Sequence, residues 1–244
     1  MTPEQLESRA RAELRKAADP RAAARAKMFF KPWEKVFFHG VGTPDLRLIE
    51  RGLYQQVNRS WSHAEIVEFA DRMARSRFNE EKALGLIMLA REWKRYERNL
   101  LTVIRGWLEE DCLDNWSLTD LLSTKVLAPL IGRHPGIEEE LREWWKAGNP
   151  WVRRAGVVSL VPLVRHARYQ DLAYEAVTAL AADKEDLIRK ACGWLLREAG
   201  RSDQQRLEQY LLRHKSALSR TAVRYAVERF PEEKRKWLLA ATRG

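Results

Sequence analysis

The segment SLTDLL at residues 117–122 aligns with three other segments of the chain at a constant spacing of 36 residues. The other three are EKALGL at 81–86, RRAGVV at 153–158 and RKACGW at 189–194. A period of this length, on sequence with helical spacing, predicts helix pairs that bury a shared core only by stacking on their neighbours. One column of the alignment reads Leu84, Asp120, Gly156 and Cys192. A carboxylate therefore stands where the other repeats have small or apolar residues, and it needs a functional or structural reason.

Apolar residues recur at helical spacing along nearly the whole chain, and no stretch alternates in the manner of a β-strand. Breaks are predicted at the Gly and Pro clusters 40–44, 132–136 and 148–150. Asn149 before Pro150 is a typical helix start, with a side-chain cap and a proline in the first turn. We predict helices near residues 3–17, 21–31, 45–57, 63–75, 78–96, 98–109, 116–131, 137–147, 150–164, 169–181, 185–198, 203–213, 218–229 and 232–241.

The predicted helix over 78–96 has a clear amphipathic pattern. One apolar stripe contains Ala83, Leu86, Ile87, Ala90 and Trp93, and charged residues lie opposite. No linker in the chain is long enough to separate independent domains. We therefore predict a single all-α domain over residues 1–244, in which the inner helices of successive pairs line a concave surface.

The composition excludes several classes of protein. Hydrophobic residues make up 45% of the 244 residues and include ten tryptophans, which is enough for a packed core. The two cysteines, Cys112 and Cys192, are too few for a disulfide framework or a zinc site and indicate reduced thiols. The N-terminus has no apolar signal segment, and no run of about 18 apolar residues is present to span a bilayer. We expect a cytoplasmic protein with no membrane partner.

Positive charge is concentrated in the C-terminal part of the chain. The net charge is +10, and residues 151–244 hold 19 Lys and Arg against 11 Asp and Glu. A basic excess at one end of an elongated protein favours a polyanionic partner, although an ordinary solvated surface is the alternative. In the repeat alignment the following basic residues fall on or near one face, at intervals suited to phosphates: Arg153, Arg154, Arg189, Lys190 and Arg197.

Common catalytic motifs are missing from the sequence. There is no HExxH, CxxC pair, Walker loop or GxSxG, so metal, nucleotide and serine-hydrolase chemistry has no support. The triplet Gly40-Val41-Gly42 is similar to the turn of helix-hairpin-helix DNA-binding proteins. Pro44 and Asp45 follow directly, however, and predict instead the start of a helix capped by Thr43.

The strongest constellation combines one acid with two indoles. Trp116 and Asp120 are four residues apart and share a face of the predicted helix, one turn from each other. Trp194 falls in the column of Leu122 two repeats later and is expected on the same inner surface. A carboxylate flanked by indole rings suits a cationic target. The alternative is an interior Asp bonded to neighbouring backbone, with the tryptophans as core.

Four motifs extend this pattern over most of the chain, from about residue 25 to residue 230. They are Phe38-x-Gly40-x-x-Thr43-Pro44-x-x-Arg47, Trp116-x-x-x-Asp120, Trp151-x-x-Arg154-Ala155 and Arg189-Lys190-Ala191-x-Gly193-Trp194-x-Leu196-Arg197-Glu198. Together, in this order and spacing, they resemble the bacterial HEAT-repeat DNA glycosylases of the AlkD type.

The resemblance implies an α-solenoid of HEAT-like repeats that forms one curved domain with a concave basic groove. It implies a monomeric enzyme that excises N3- and N7-alkylated purines from double-stranded DNA with no cofactor and no metal, associated with the nucleoid in the cytoplasm. Asp120 takes the place of the catalytic aspartate, Trp116 and Trp194 match two active-site tryptophans, and Arg154 matches an arginine near the lesion. The further DNA-binding residues that we predict are Arg153, Arg189, Lys190, Arg197 and Arg47.

The chemistry follows from the charge of the lesion. Alkylation at N3 or N7 makes the base cationic, so it leaves as a neutral group and needs no general acid. An ionised Asp120 would stabilise the sugar cation and orient water.

Strand cleavage would need a lysine nucleophile. Lys125 is the nearest in sequence, but on an ideal helix it points about 140° away from Asp120, so we predict a monofunctional glycosylase.

Two alternatives remain open on the sequence alone. A non-catalytic HEAT-repeat binder of branched or damaged DNA explains the charge and the repeats but gives Asp120 no role. The family also contains members that bind DNA without cutting a base, some of which lack the aspartate, so Asp120 favours an active member. A protein–protein scaffold is the commonest use of helical repeats and predicts no DNA binding at moderate salt.

Overall fold

The computed structural model describes residues 1–243, and secondary structure within that range is helical, with an isolated bridge between Phe37 and Phe78. The predicted all-α class is confirmed. The helices are α1 Pro3–Lys16, α2 Pro20–Lys27, α3 Thr43–Val57, α4 His63–Ala74, α5 Asn79–Arg91, α6 Leu100–Glu109, α7 Trp116–Leu122, α8 Ala128–Arg133, α9 Ile137–Trp144, α10 Pro150–Val158, α11 Gln170–Ala179, α12 Asp186–Ala199, α13 Gln204–Arg213, α14 Arg220–Ala226 and α15 Glu232–Ala241.

The chain divides into two compact units, residues 1–130 and the residues from Ile131 onward. Each unit has its own buried apolar core. The single domain over residues 1–244 stays a prediction. No helix among residues 1–243 is long and apolar enough to cross a membrane.

Most predicted helices agree with the structure within a few residues, and three differ in an informative way. The predicted helix over 150–164 ends at Val158, where turns replace it. The helix predicted over 116–131 is interrupted by a π-helical turn at Ser123–Leu127. The N-cap of α3 is Gly42, not the predicted Thr43, which already belongs to the helix.

The first unit is built around α5, which packs against α1, α3, α4 and α7. Gly85 allows the close approach of α4, because a Cβ there would lie 2.7 Å from the Cβ of Met73. The predicted apolar stripe on this helix was wrong: Trp93 lies beyond its end and is 46% exposed, whereas Glu80, Glu81 and Lys82 are buried. A helix surrounded by neighbours buries charged residues too, provided that each finds a partner.

The second unit is built around α12, which packs against α10, α11, α13 and α14. Gly193 permits the approach of α14, because a Cβ there would lie 2.6 Å from the carbonyl oxygen of Ala222. Asn149 caps α10 as predicted, since its side chain accepts from the backbone N–H groups of Trp151 and Val152.

Hydrogen bonds between residues 36 positions apart connect successive repeats inside each unit. In the first unit the indole of Trp107 donates to Asp71 at 2.8 Å, and Asn115 donates to Asn79 at 3.0 Å. In the second, Tyr210 donates to the carbonyl of Tyr174. The period in the sequence therefore corresponds to stacked, equivalent positions.

The alignment column that contains the acid is otherwise a packing column. Leu84 is fully buried, Cys192 is 2% exposed and Gly156 is buried, whereas Asp120 is half-buried. Burial raises the pKa of the Cys192 thiol to about 12, so this residue packs as a neutral thiol. Asp120 is the member of the column with a polar, partly accessible side chain.

Candidate active site

The N-terminus of α7 is held by a buried pair of asparagines. The Asn115 side chain accepts from the Leu118 N–H at 3.1 Å and donates through Nδ2 to Asn79 Oδ1 at 3.0 Å. Asn115 is 1% exposed and Asn79 is 8% exposed. Because α7 has only seven residues, this cap orients the first turn, which carries Trp116, and the second, which carries Asp120.

The π-helical turn begins three residues after Asp120. Ser123 Oγ donates to the Thr119 carbonyl at 2.6 Å, and Thr124 Oγ1 donates to the Asp120 carbonyl at 2.7 Å. Such bonds from hydroxyls to carbonyls four residues earlier compete with the helix ladder and favour a local distortion. Lys125 lies inside this turn and is exposed. The angle between Lys125 and Asp120 on an ideal helix therefore does not apply, and the exclusion of Lys125 needs an experiment.

Trp116 is stacked on an aromatic residue that the sequence reasoning missed. The Phe30 ring lies 5.4 Å from the Trp116 ring, centroid to centroid, with the planes 23° apart. Phe38 also contacts Phe30, with ring centroids 5.5 Å apart and planes tilted by 48°. The aromatic-rich run over residues 28–38 was visible in the sequence, but it has no helical period that relates it to Trp116. All of these residues belong to the first unit.

The backbone next to Phe38 is held by α5. The Glu80 carboxylate accepts from the N–H groups of His39, Gly40 and Val41 at 2.8–3.2 Å. His39 also contacts Glu81 through Nε2 at 2.9 Å and stacks on Phe78. Gly40 has φ +85°, a left-handed conformation that favours glycine. Carboxylates of α5 thus position the loop that carries Phe38.

The predicted residues Trp194 and Arg154 lie in the second unit. Trp194 is half-buried on α12, and Arg154 is 5% exposed on α10. Arg154 donates to the carbonyl oxygen of Leu187 at the start of α12. A guanidinium this deeply buried is fixed in orientation by its partners.

The other predicted DNA-binding cations have protein partners. Arg153 pairs with Asp183 at 2.7 Å and donates to the carbonyls of Ala147 and Gly148. Arg189 donates to the Asp183 carbonyl, so Arg153 and Arg189 meet at one residue. These contacts order the two side chains, and their binding to phosphate stays a prediction.

Lys190, Arg197 and Arg47 are more accessible. Lys190 pairs with Asp186 at 2.8 Å, and this bond raises its pKa. Arg197 pairs with Glu228 and Glu198. Arg47 is exposed on α3 in the first unit. The pair of Lys190 with Asp186 is exposed and contributes little to stability, so exchange of Asp186 for a phosphate costs little.

No group of three His, Cys, Asp or Glu residues within 1–243 is arranged to hold a metal ion. The first unit brings together Trp116, Asp120 and Phe30. The second unit brings Arg153 and Arg189 together at Asp183. Arg154, also in the second unit, contacts the start of α12. An acid one turn from a stacked indole is the arrangement that the sequence analysis associated with a cationic target, and this role stays a prediction.

The helical fold agrees with the comparisons to known proteins. A family model described as "DNA alkylation repair enzyme" matches residues 10–230. A solved structure described as a predicted DNA alkylation repair enzyme from Enterococcus faecalis is similar with a TM-score of 0.77 at 18% identity, over 88% of this chain and 97% of that chain. That similarity confirms the predicted α-solenoid fold class of HEAT-like repeats. No curated protein matches the chain.

The fold and the family match define a DNA repair protein of the helical-repeat class. The chain belongs to the DNA alkylation repair enzyme family, whose model covers most of its length. Membership assigns it an enzymatic role in the repair of alkylated DNA, with DNA as the substrate.

Proposed function

We propose that the protein is a monofunctional DNA glycosylase that hydrolyses the N-glycosidic bond of N3- and N7-alkylated purines in double-stranded DNA. The observation that carries the proposal is the half-buried Asp120 one helical turn from Trp116, whose ring is backed by Phe30. The backing fixes the indole plane, and the capped α7 fixes the acid relative to it. For Trp194 and Arg154, which lie in the second unit, we propose the roles that the family resemblance implies: an active-site tryptophan and an arginine near the lesion.

The proposed reaction needs electrostatic stabilisation more than proton transfer. An alkylated purine with a positive charge leaves as a neutral base, and the bond electrons move into the base as the C1′–N bond breaks. The sugar becomes cationic, and the ionised Asp120 carboxylate stabilises it and orients the water that adds at C1′, which then loses a proton to solvent. The Trp116 face stabilises the cationic nucleoside by about 0.5–2 kcal/mol.

The test is a single-turnover assay on duplexes that contain 7-methylguanine or a 3-methyladenine analogue. Asp120→Asn removes the charge with almost no change in size, so we expect loss of most base release with DNA affinity retained. Asp114→Asn is the matched control, because Asp114 is in the same unit, six residues earlier, and pairs with Lys82 at 3.4 Å. Release by Asp120→Asn at the wild-type rate would disprove the mechanism.

A non-catalytic binder of branched or damaged DNA is the second candidate. The net charge of +10 and the exposed aromatic side chains of residues 28–37 favour nucleic-acid binding whether or not a base is released. Gel shifts on branched and plain duplexes, run beside the release assay, separate the two candidates. Tight binding to branched DNA with no release of either alkylated base would favour the binder.

A further inference from the structure

The connection between α2 and α3 exposes an unusual amount of apolar surface. Met28 is 82% exposed, Phe29 is 77%, Trp33 is 76% and Phe37 is 42%. We call residues 28–38 the aromatic loop. Large apolar side chains concentrated in one exposed segment mark an interaction surface, because a soluble protein gains nothing from leaving them in water.

Cationic side chains are interleaved with these rings. Lys27, Lys31 and Lys35 are exposed at intervals of four residues, and Glu34 is the acid among residues 27–38. The Lys31 ammonium lies 5.9 Å from the Trp33 ring centroid, and Lys27 lies 5.8 Å from that of Phe37. The Arg77 guanidinium also lies over the Phe37 ring, 5.5 Å from its centroid. Alternation of rings and cations suits a partner with planar apolar groups on an anionic backbone.

The aromatic loop continues directly into the proposed active site. Phe30 belongs to the loop and stacks on Trp116, one helical turn from Asp120. Glu80 anchors the far end of the loop through the N–H groups of residues 39–41. The exposed ring of Phe29 is the sequence neighbour of Phe30, so the aromatic loop and Trp116 are connected within the first unit.

We propose that the aromatic loop binds unpaired bases of a DNA strand, with Trp33 and Phe29 stacking on the bases and the lysines contacting the phosphates. Rings between cations are the arrangement that binds single strands without sequence readout, and stacked bases of a paired duplex offer no free face. The inference rests on DNA as the substrate and is independent of the chemistry proposed for Asp120. A lipid surface would use a similar side-chain set, but continuity with Trp116 favours DNA.

The experiment compares binding of a labelled thymidine single strand and of a fully paired duplex by fluorescence anisotropy. Trp33→Ala should weaken single-strand binding about tenfold, within the range measured for loss of one stacked base, and change duplex binding less than about twofold. Trp33→Phe should restore most of the single-strand affinity. Because Trp33 is highly exposed, these variants should keep the wild-type unfolding temperature.

Trp93→Ala is the matched control. Trp93 is 46% exposed in the same unit and has Lys94 at 5.7 Å from its ring, but it lies outside the aromatic loop. Equal affinities of Trp33→Ala and Trp93→Ala for the single strand would overturn the proposal. An equal loss of affinity for the single strand and for the duplex in Trp33→Ala would also overturn it. A third contrary outcome is binding to anionic phospholipid vesicles that depends on Trp33, while DNA binding does not depend on Trp33.

The outcome separates this proposal from the proposed function. Single-strand binding that depends on Trp33, with no base release by the wild-type protein, would support the aromatic loop and disprove the glycosylase. Base release that depends on Asp120, with single-strand binding unchanged in Trp33→Ala, would support the glycosylase and disprove the role of the aromatic loop.

Discussion

Asn115 donates a hydrogen bond to Asn79 at 3.0 Å, and this contact joins the start of α7 to the start of α5, one repeat earlier. Both residues are buried; Asn79 is the first residue of α5, and Asn115 is the N-cap of α7. The contact is thus part of the repeat geometry and also the support of the helix that carries Asp120. Stability and activity are expected to depend on the same pair.

Asn115→Ala should lower the free energy of unfolding by about 1–3 kcal/mol, because it removes an N-cap and leaves the buried Asn79 amide without its partner. It should also slow base release, since α7 loses its fixed start. Urea denaturation measures the first effect. Asn99→Ala is the control, because Asn99 precedes α6 but makes no side-chain cap. Equal stability of the two variants would show that the asparagine pair contributes nothing.

Phe30→Ala should slow base release about two- to tenfold in single turnover, because an aromatic pair contributes about 0.5–1.5 kcal/mol and the Trp116 plane is no longer backed. Binding to undamaged duplex should stay within about twofold of the wild type. Phe30→Tyr keeps the ring and should restore the rate. A rate in Phe30→Ala equal to that of the wild type would show that Trp116 needs no support.

His63 should make the protein less stable in mild acid. Burial, with Arg95 nearby, lowers its pKa below 6.5, and both ring nitrogens lack a hydrogen-bond partner. The unfolded chain therefore binds the proton more readily, so stability is full above about pH 6.5 and falls as the pH drops through the lowered pKa. His63→Phe, which keeps a ring against Tyr96, should show a smaller loss between about pH 7.5 and 5.5 in urea titrations. Identical pH dependence in the two proteins would contradict this prediction.

Borohydride should trap no covalent adduct with DNA that contains an alkylated purine or an abasic site, because a monofunctional enzyme uses water and not a lysine as the nucleophile. Lys125→Ala should accordingly release base at the wild-type rate. The exposed Lys125 lies in the π-helical turn next to Asp120, so it is the lysine to test first. An adduct that disappears in Lys125→Ala would establish a bifunctional enzyme.

Local rules predicted the helices well and the packing of α5 poorly. Helix ends follow from caps and breaks such as Asn149-Pro150, which act over a few residues. The burial of Glu80 depends instead on three N–H groups about 40 residues earlier in the chain, which no periodicity can indicate. The π-helical turn was missed because its cause is a set of hydroxyl bonds that any Ser or Thr in a helix is able to make.

The sequence by itself determined the all-α class, the period of 36 residues and the pairing of Trp116 with Asp120 on one helical face, because each follows from spacing along a helix. Only the tertiary structure decided that Phe30 stacks on Trp116, that Asp183 forms an ion pair with Arg153, and that the rings of the aromatic loop stay exposed. Those facts depend on residues far apart in sequence that meet in space, where the close approach of helices selects which side chains are buried and which remain in water.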